Sequence, residues 1–413
     1  MHIVVIDPGF EDLHSHHANV NEGLFTCIES TGNSRLVTLA AMKLNQTTAA
    51  QLIPDSTLPF FLTPCYTNRL KPLDKEREQQ LAEDFAEELT KAFDEGHIES
   101  SSTLVLHTFF SFHLLGLAIW LMRYKTEFFG GIVLCGMFYP GSSQLHTLDN
   151  NVEFKRFLRF KLAAGYVSHA VAQNERIIVA TSCMDFVESY QKLFTQPVQI
   201  HPVVTWNETS LSESDAKSKR KSILLYAGSV KQDKGLEFLL TSAEQLLRAF
   251  PSVEFIVHLN TSSPGIRDFQ NAESMLQALL QKYPNLQCHF GYLSNTDYQC
   301  LLNQASAIVC HYDPQVYSHK TSGLLWDAMS RENMGVICTN DCWLSREYEA
   351  IGGKPFTFDY NNFDSLKNSL SRWLYSEGPF ILPNHYYESL VKSFPEWLKQ
   401  HCLNLHNLTK AGS

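Results

Sequence analysis

Short apolar runs alternate with helical stretches along almost the whole of this 413-residue chain. That alternation admits little besides mostly parallel sheets wound with helices. Residues 3–6 (I-V-V-I) read as a first strand, followed by strands at 35–40, 103–107, 132–136, 176–180 and 197–200. Helical stretches fall at about 15–30, 112–124, 152–172 and 185–194. Pro72 opens a longer one in which Leu81, Phe85, Leu89 and Phe93 recur at four-residue steps. Residues 205–221 break the pattern with N-E-T-S-L-S-E-S-D-A-K-S-K-R-K, a polar, serine-rich run with no apolar period. The alternation then resumes, with strands near 223–226, 253–258, 286–290, 307–310, 336–338 and 356–358 and closing helices around 363–373 and 386–401. A single core rarely grows beyond ~250–300 residues, so the break reads as a linker between two domains. The fold class predicted is α/β, with two doubly wound Rossmann-like domains facing across a cleft. Their bounds are 1–204 and 222–380, joined by 205–221, and residues 381–413 are expected to pack back on the first domain.

Composition removes several function classes. The net charge of −10 disfavours non-specific nucleic-acid binding, so no nucleic acid is expected as a partner. Ten cysteines include no C-x-x-C pair, and Cys135, Cys310 and Cys338 sit in apolar runs. Reduced, buried thiols in a cytoplasmic protein follow. Met1 leads directly into the first strand, and no signal peptide is expected. Residues 104–121 approach the length of a membrane span. His107, Ser111 and His113 interrupt them, and they divide into a buried strand and helix.

Residues 308–339 carry the densest signal: strand, polar loop, helix, turn, strand. Thr321 and Ser322 are suitable helix N-caps, and Leu324, Leu325, Ala328 and Met329 form the apolar face. Lys320 precedes the helix N-terminus, where free N–H groups favour an anion. Asp327 follows within the helix as an acceptor for ligand hydroxyls. A phosphate end and a hydroxyl end in one segment predict a nucleotide-sugar site. Upstream, Y-A-G-S-V-K-Q-D-K-G sets Gly228, Lys231, Lys234 and Gly235 between a strand and a helix. Glycine permits close backbone approach, and the lysines offer charge to a diphosphate.

These two stretches carry a resemblance. G-S-V-K-Q-D-K-G-L-E-F-L-L resembles the G-R-x-x-x-x-K-G loop of GT-B glycosyltransferases of the group 1 (family 4) type. S-G-L-L-W-D-A-M-S-R-E-N-M-G-V-I-C-T resembles their second signature, two acids eight positions apart followed by A-x-x-x-G-x-P-V-I. The resemblance implies that Lys234 contacts the donor diphosphate and that Asp327 binds the donor ribose. It implies further that Gly323 and Leu324, beside Ser322, meet the phosphates through backbone amides, with Gly228 in the approaching loop. Ser229 stands where the loop arginine is usual, leaving Lys231 or Lys320 to supply that charge. His319 stands where the first acid is usual, and Gly335 where a proline is usual. His319 and Tyr317 are expected at the sugar or phosphate edge.

For the first domain the resemblance implies a loop after the first strand and a histidine at a later strand end. Residues 8–17 fit that loop, with His16 or His17 near the acceptor. His107 and His113 fit the second position, to orient the acceptor or bind a donor hydroxyl. No carboxylate or cysteine at ligand spacing completes the H-S-H-H cluster, so no metal is expected. There is also no D-x-D in the chain. The cofactor expectation is therefore none, the nucleotide sugar being a co-substrate. Residues 152–172 interleave Lys155, Arg156, Arg159 and Lys161 with Phe154, Phe157, Leu158 and Phe160. This reads as a core-facing helix with a solvated basic face, and the pattern also fits peripheral contact with an anionic membrane at its inner face.

The activity expected is transfer of a sugar from a nucleotide diphosphate donor to a hydroxyl on a glycan, lipid-linked or protein acceptor. By resemblance it is retaining and metal-independent. The alternatives are a non-catalytic nucleotide-binding subunit of the same fold and a nucleotide-sugar isomerase or epimerase.

Overall fold

The computed structural model describes every residue except 13–15, 30–33, 47–55, 67–73, 144–150, 172–175, 204–220, 261–269, 332 and 412–413. Most of the expected linker therefore lies outside the described residues, as does Pro72. The chain divides into two compact units, Met1–Thr205 with Lys392–Ser413 and Trp206–Val391.

The first unit runs β1 (His2–Asp7), α1 (His16–Glu29), β2 (Arg35–Ala41), β3 (Thr57–Phe61), α2 (Lys75–Asp94), β4 (Thr103–Leu106), α3 (Ser111–Arg123), β5 (Ile132–Gly136), α4 (Asn151–Ala170), β6 (Ile177–Thr181), α5 (Met184–Gln191) and β7 (Val198–Ile200). Its seven strands pair in the order β3-β2-β1-β4-β5-β6-β7, all in parallel. Strand order reverses between β1 and β4, the place where the carboxyl ends of such a sheet leave a crevice.

The second unit runs β8 (Ser222–Tyr226), α6 (Leu236–Ala249), β9 (Glu254–Leu259), α7 (Gln270–Lys282), β10 (Leu286–Phe290), α8 (Asn295–Gln304), β11 (Ala307–Cys310), α9 (Gly323–Met329), β12 (Gly335–Thr339), α10 (Trp343–Ala350), β13 (Phe356–Phe358), α11 (Phe363–Leu374) and α12 (His385–Leu390). Its sheet has the order β10-β9-β8-β11-β12-β13, again all parallel. The reversal here lies between β8 and β11.

Three local features differ from expectation for identifiable reasons. Strand β3 (T-L-P-F-F) holds a proline, which argues against a central strand. It is the edge strand of its sheet, where Pro59 lies opposite Ala40 and a missing N–H is tolerated. Helix α2 begins at Lys75, because the Asp74 carboxylate caps it by accepting from the Arg77 N–H at 2.7 Å. The last expected helix is two: α12, capped by Asn384, and α13 (Phe394–Ala411), which carries Pro395 in its first turn, where a missing N–H costs nothing. The crossing back to the first unit accordingly falls at Lys392 rather than at 381.

Helix α13 completes the first core. Its Phe394, Leu398, Cys402 and Leu405 pack with Ile3 and Val5 of β1, Val20, Leu24 and Ile28 of α1, and Val105 and Val133 of β4 and β5. In the second unit, Leu366, Leu370 and Trp373 of α11 join Leu236, Leu239 and Leu246 of α6 around the strands. None of the ten cysteines is in a disulfide. Among the described residues, no helix is long and apolar enough to cross a membrane.

Candidate functional site

The donor-side residues of the second unit gather at the carboxyl ends of β8 and β11. Gly228, just after β8, has φ +94°, and a Cβ there would lie 3.7 Å from Lys234 Nζ. Tyr226 braces the loop by donating to the Ser229 carbonyl at 3.0 Å and accepting from the Lys231 N–H at 3.1 Å. Gly235 has φ +69°, and a Cβ there would overlap the His311 ring and carbonyl. This close approach fixes where the Lys234 backbone runs. The Lys234 ammonium stands 5.6 Å from the Tyr312 ring centroid. Burial, and then the neighbouring Lys231, push its pKa down to about 8.

Lys320, expected to replace the missing loop arginine, forms an ion pair with Asp233 at 2.5 Å. Its ammonium also lies 4.3 Å from the Tyr317 ring centroid. Tyr317 is buried against Tyr312 rather than presented at a sugar edge. Lys231 is exposed. Helix α9 spans two turns only, with Ser322 as N-cap, Gly323 exposed and Leu324 buried. Ser322 makes no side-chain capping bond; its hydroxyl meets Tyr312 Oη at 3.4 Å. His319 is half-buried in the loop before it.

Asp327 is half-buried on α9. Burial raises its carboxyl to about 6, against the pull of Arg331 and a hydrogen bond from the Tyr298 hydroxyl. Tyr298 in turn lies close enough to influence the ionisation of Tyr312, and Cys310 influences Lys234 as well as both tyrosines. Tyr312 thus stands beside the cation and Tyr298 beside the acid. Neither tyrosine was singled out from sequence, since only β11 and α8 bring them to Lys234 and Asp327.

In the first unit, Asp7 ends β1 and His107 follows β4, on the two strands flanking the order reversal. Asp7 Oδ2 lies 2.9 Å from His107 Nε2, and Oδ1 lies 2.7 Å from His17 Nδ1 at the start of α1. The Asn21 amide donates to Oδ2 at 2.6 Å and the Gly9 N–H to Oδ1 at 3.2 Å. All three principal side chains are buried. Burial alone would raise the Asp7 carboxyl, but the two imidazoles outweigh it and hold it well below the usual carboxylate range. His17 Nε2 reaches the Tyr66 hydroxyl at 2.7 Å, and His107 Nδ1 meets Thr108 Oγ1 at 3.3 Å.

His107 therefore has both ring nitrogens engaged inside the protein. His113 is buried on α3 and accepts the Phe110 N–H at 3.0 Å, and burial lowers its pKa to about 3. It is a neutral capping residue rather than an acceptor contact. His16 lies in the first turn of α1, and its side chain lies outside the described residues. The carboxylate that no local spacing supplied comes from Asp7. One oxygen of Asp7 and one nitrogen each of His17 and His107 lie within 4.8 Å of one another, a set of donors able to hold a metal ion.

No family model and no curated protein matches the chain. Solved structures do. An alpha,alpha-trehalose-phosphate synthase (UDP-forming) from Burkholderia vietnamiensis superposes with a TM-score of 0.62 at 11% identity, covering 99% of each chain. The fold is that of the GT-B glycosyltransferases. The lipopolysaccharide outer core galactosyltransferase WaaB superposes with a TM-score of 0.54 at 10% identity, covering 100% of each chain. A UDP-GlcNAc 2-epimerase from Neisseria meningitidis, bound to UDP-GlcNAc, superposes with a TM-score of 0.52 at 11% identity, covering 98% of this chain and 100% of that one.

Proposed function

We propose that the protein transfers a glycosyl group from a nucleotide diphosphate sugar to a hydroxyl acceptor, with retention and without a metal ion. The observation that carries this reading is that Lys234, after β8, and Asp327, after β11, follow the two strands at which the order of the second sheet reverses. A half-buried ammonium beside a glycine loop suits the diphosphate, whose charge grows as the sugar departs. A half-buried carboxylate suits the ribose hydroxyls. The GT-B neighbours and the loop resemblance support the same assignment.

Thermal-shift measurements against UDP, GDP, dTDP, ADP and CMP, without added metal, test it. A ligand at 100 times its Kd stabilises the folded state by about 2.7 kcal/mol. One diphosphate should raise the midpoint, and Lys234→Ala and Asp327→Ala should abolish the rise. The matching nucleotide sugar should then yield a glycosylated product. Binding without turnover supports a non-catalytic subunit, and an isomerised sugar, on its nucleotide or released from it, supports the epimerase reading, which the Neisseria neighbour's fold keeps in play.

The exposed face of α4 belongs to the same proposal. Leu158, Leu162 and Tyr166 are 47%, 58% and 44% exposed at four-residue steps. Lys155, Arg156 and Lys161 are exposed beside them. An apolar stripe edged by cations suits an anionic lipid surface, which would bring the enzyme to a lipid-linked acceptor.

A further inference from the structure

Three separate elements of the first unit meet at the Asp7 carboxylate: the end of β1, the first turn of α1 with His17, and the residue after β4, His107. The carboxylate is also held by two neutral donors, the Gly9 N–H on Oδ1 at 3.2 Å and the Asn21 amide on Oδ2 at 2.6 Å. Asn21 is itself fixed. Its amide donates to the His17 carbonyl at 2.9 Å, and its oxygen accepts from the Thr38 hydroxyl of β2 at 3.3 Å. A Cβ on Gly9 would fall 2.3 Å from the His17 ring, so glycine is what lets the loop close over that imidazole.

Each imidazole has a hydroxyl at its far nitrogen, Tyr66 Oη 2.7 Å from His17 Nε2 and Thr108 Oγ1 3.3 Å from His107 Nδ1. A hydroxyl can donate or accept. Each ring can therefore carry its proton toward Asp7 or toward the hydroxyl. In the second state the lone pairs of His17 Nδ1 and His107 Nε2 are available to an ion, and histidines that bind metals are held in this way at their second nitrogen. The spacing selects the class of ion. Octahedral bonds of about 2.1 Å set neighbouring ligand atoms about 3.0 Å apart. Tetrahedral zinc sets them about 3.4 Å apart. The Asp7 oxygens lie 2.7 and 2.9 Å from the two imidazole nitrogens, nearer the octahedral value. Two imidazoles in the set favour a transition metal over magnesium or calcium, which take oxygen ligands.

We propose that Asp7, His17 and His107 bind one octahedral divalent transition-metal ion, of the manganese or iron(II) class, through a carboxylate and two imidazoles on one face. Water takes the remaining positions, on the side marked by the half-buried Tyr66. The ion is structural. It takes the place of the two direct contacts at Asp7 and ties β1, α1 and the segment after β4 together. The site lies wholly within the first unit and does not rest on the transfer reaction, which is proposed above to run without a metal.

The test uses the whole protein, stripped with a chelator, dialysed, and titrated calorimetrically with Mn²⁺ and, in the absence of oxygen, with Fe²⁺. Each should bind at one equivalent per chain and raise the thermal midpoint, since an ion that binds only the folded state stabilises it. Asp7→Asn and His107→Ala should each weaken binding at least ~100-fold, and Tyr66→Phe, which touches only the far nitrogen of His17, about 10-fold. X-ray absorption by the loaded wild type needs no variant and decides the matter if a substitution prevents folding. It should show two imidazoles and carboxylate or water oxygens at about 2.1 Å. A sulfur shell at about 2.3 Å would put the ion on cysteines and overturn the site. So would unchanged affinity in a folded His107→Ala protein, or less than one equivalent of either ion bound at about 1 mM.

Discussion

Lys320 Nζ lies 2.5 Å from Asp233 Oδ2, in the loop where the sequence offered it as a free cation for phosphate. That pairing ties residues 311–322 to the loop after β8, reinforced by the Asp313 N–H donating to the Asp233 carbonyl at 2.9 Å. Lys234 is then the lysine best placed to meet a diphosphate. A hydrogen bond to a charged group contributes about 1.5–3 kcal/mol, and each ~1.4 kcal/mol is a factor of ten. Calorimetric titration with the bound diphosphate should show at least a ~10-fold loss for Lys234→Ala. Lys320→Ala should lose less than ~3-fold while lowering the thermal midpoint. Equal losses would contradict the assignment.

Nucleotide affinity should peak between about pH 6 and 8. Lys234 must be charged to hold the diphosphate, and with its pKa pushed down to about 8, affinity falls as the pH rises past that value. Asp327 must be ionised to accept hydroxyls, and with its carboxyl raised to about 6, affinity falls as the pH drops below it. The ligand-free protein responds in the opposite sense. The unfolded chain binds more protons than the native state between about pH 8 and 10.5 through this lysine, so its contribution to stability rises with pH there and is lost as pH falls through 8. The Asp327 contribution is present below about pH 4 and is lost as pH rises through 6. Titrations across about pH 5–10 check this, with Lys234→Arg flattening the alkaline limb and Asp327→Asn the acidic one.

Glu78 joins three helices of the first unit. Its carboxylate on α2 accepts from the Ser111 hydroxyl at the start of α3 and pairs with Arg159 of α4 at 2.8 Å. The glutamate side chain is 8% exposed and the arginine 34%, so solvent screens part of the pair. Glu78→Ala should cost about 2 kcal/mol and lower the melting midpoint by roughly 4–8 °C. Glu78→Gln, which keeps the serine contact, should cost less. Differential scanning calorimetry reads both, and no change in either variant would show the junction to be energetically silent.

The α4 face should hold the protein on vesicles containing phosphatidylglycerol and not on phosphatidylcholine alone. Each basic residue near an anionic surface contributes about 1 kcal/mol. Leu158→Asp with Leu162→Asp should release the protein in co-sedimentation without changing nucleotide affinity. Retention of the double variant would assign the stripe to some other role.

The strand–helix alternation by itself determined two parallel α/β units, because burying a parallel sheet on both faces requires apolar runs joined by helices, and that requirement is local and repetitive. It also singled out Gly228, Lys234 and Asp327 as parts of one expected site, but that their two stretches follow neighbouring strands is a matter of strand order. Only the tertiary structure decided the pairings. Lys320 reads as a free cation until Asp233, 87 positions away, is folded beside it. His107 and His113 read alike, yet one meets Asp7 and the other turns back to cap its own helix. Asp7, His17 and Tyr66 carry no local spacing that joins them, because they meet only where β1 and β3 end beside α1 in the assembled sheet. Contacts between strand ends depend on strand order, and strand order is a property of the whole core.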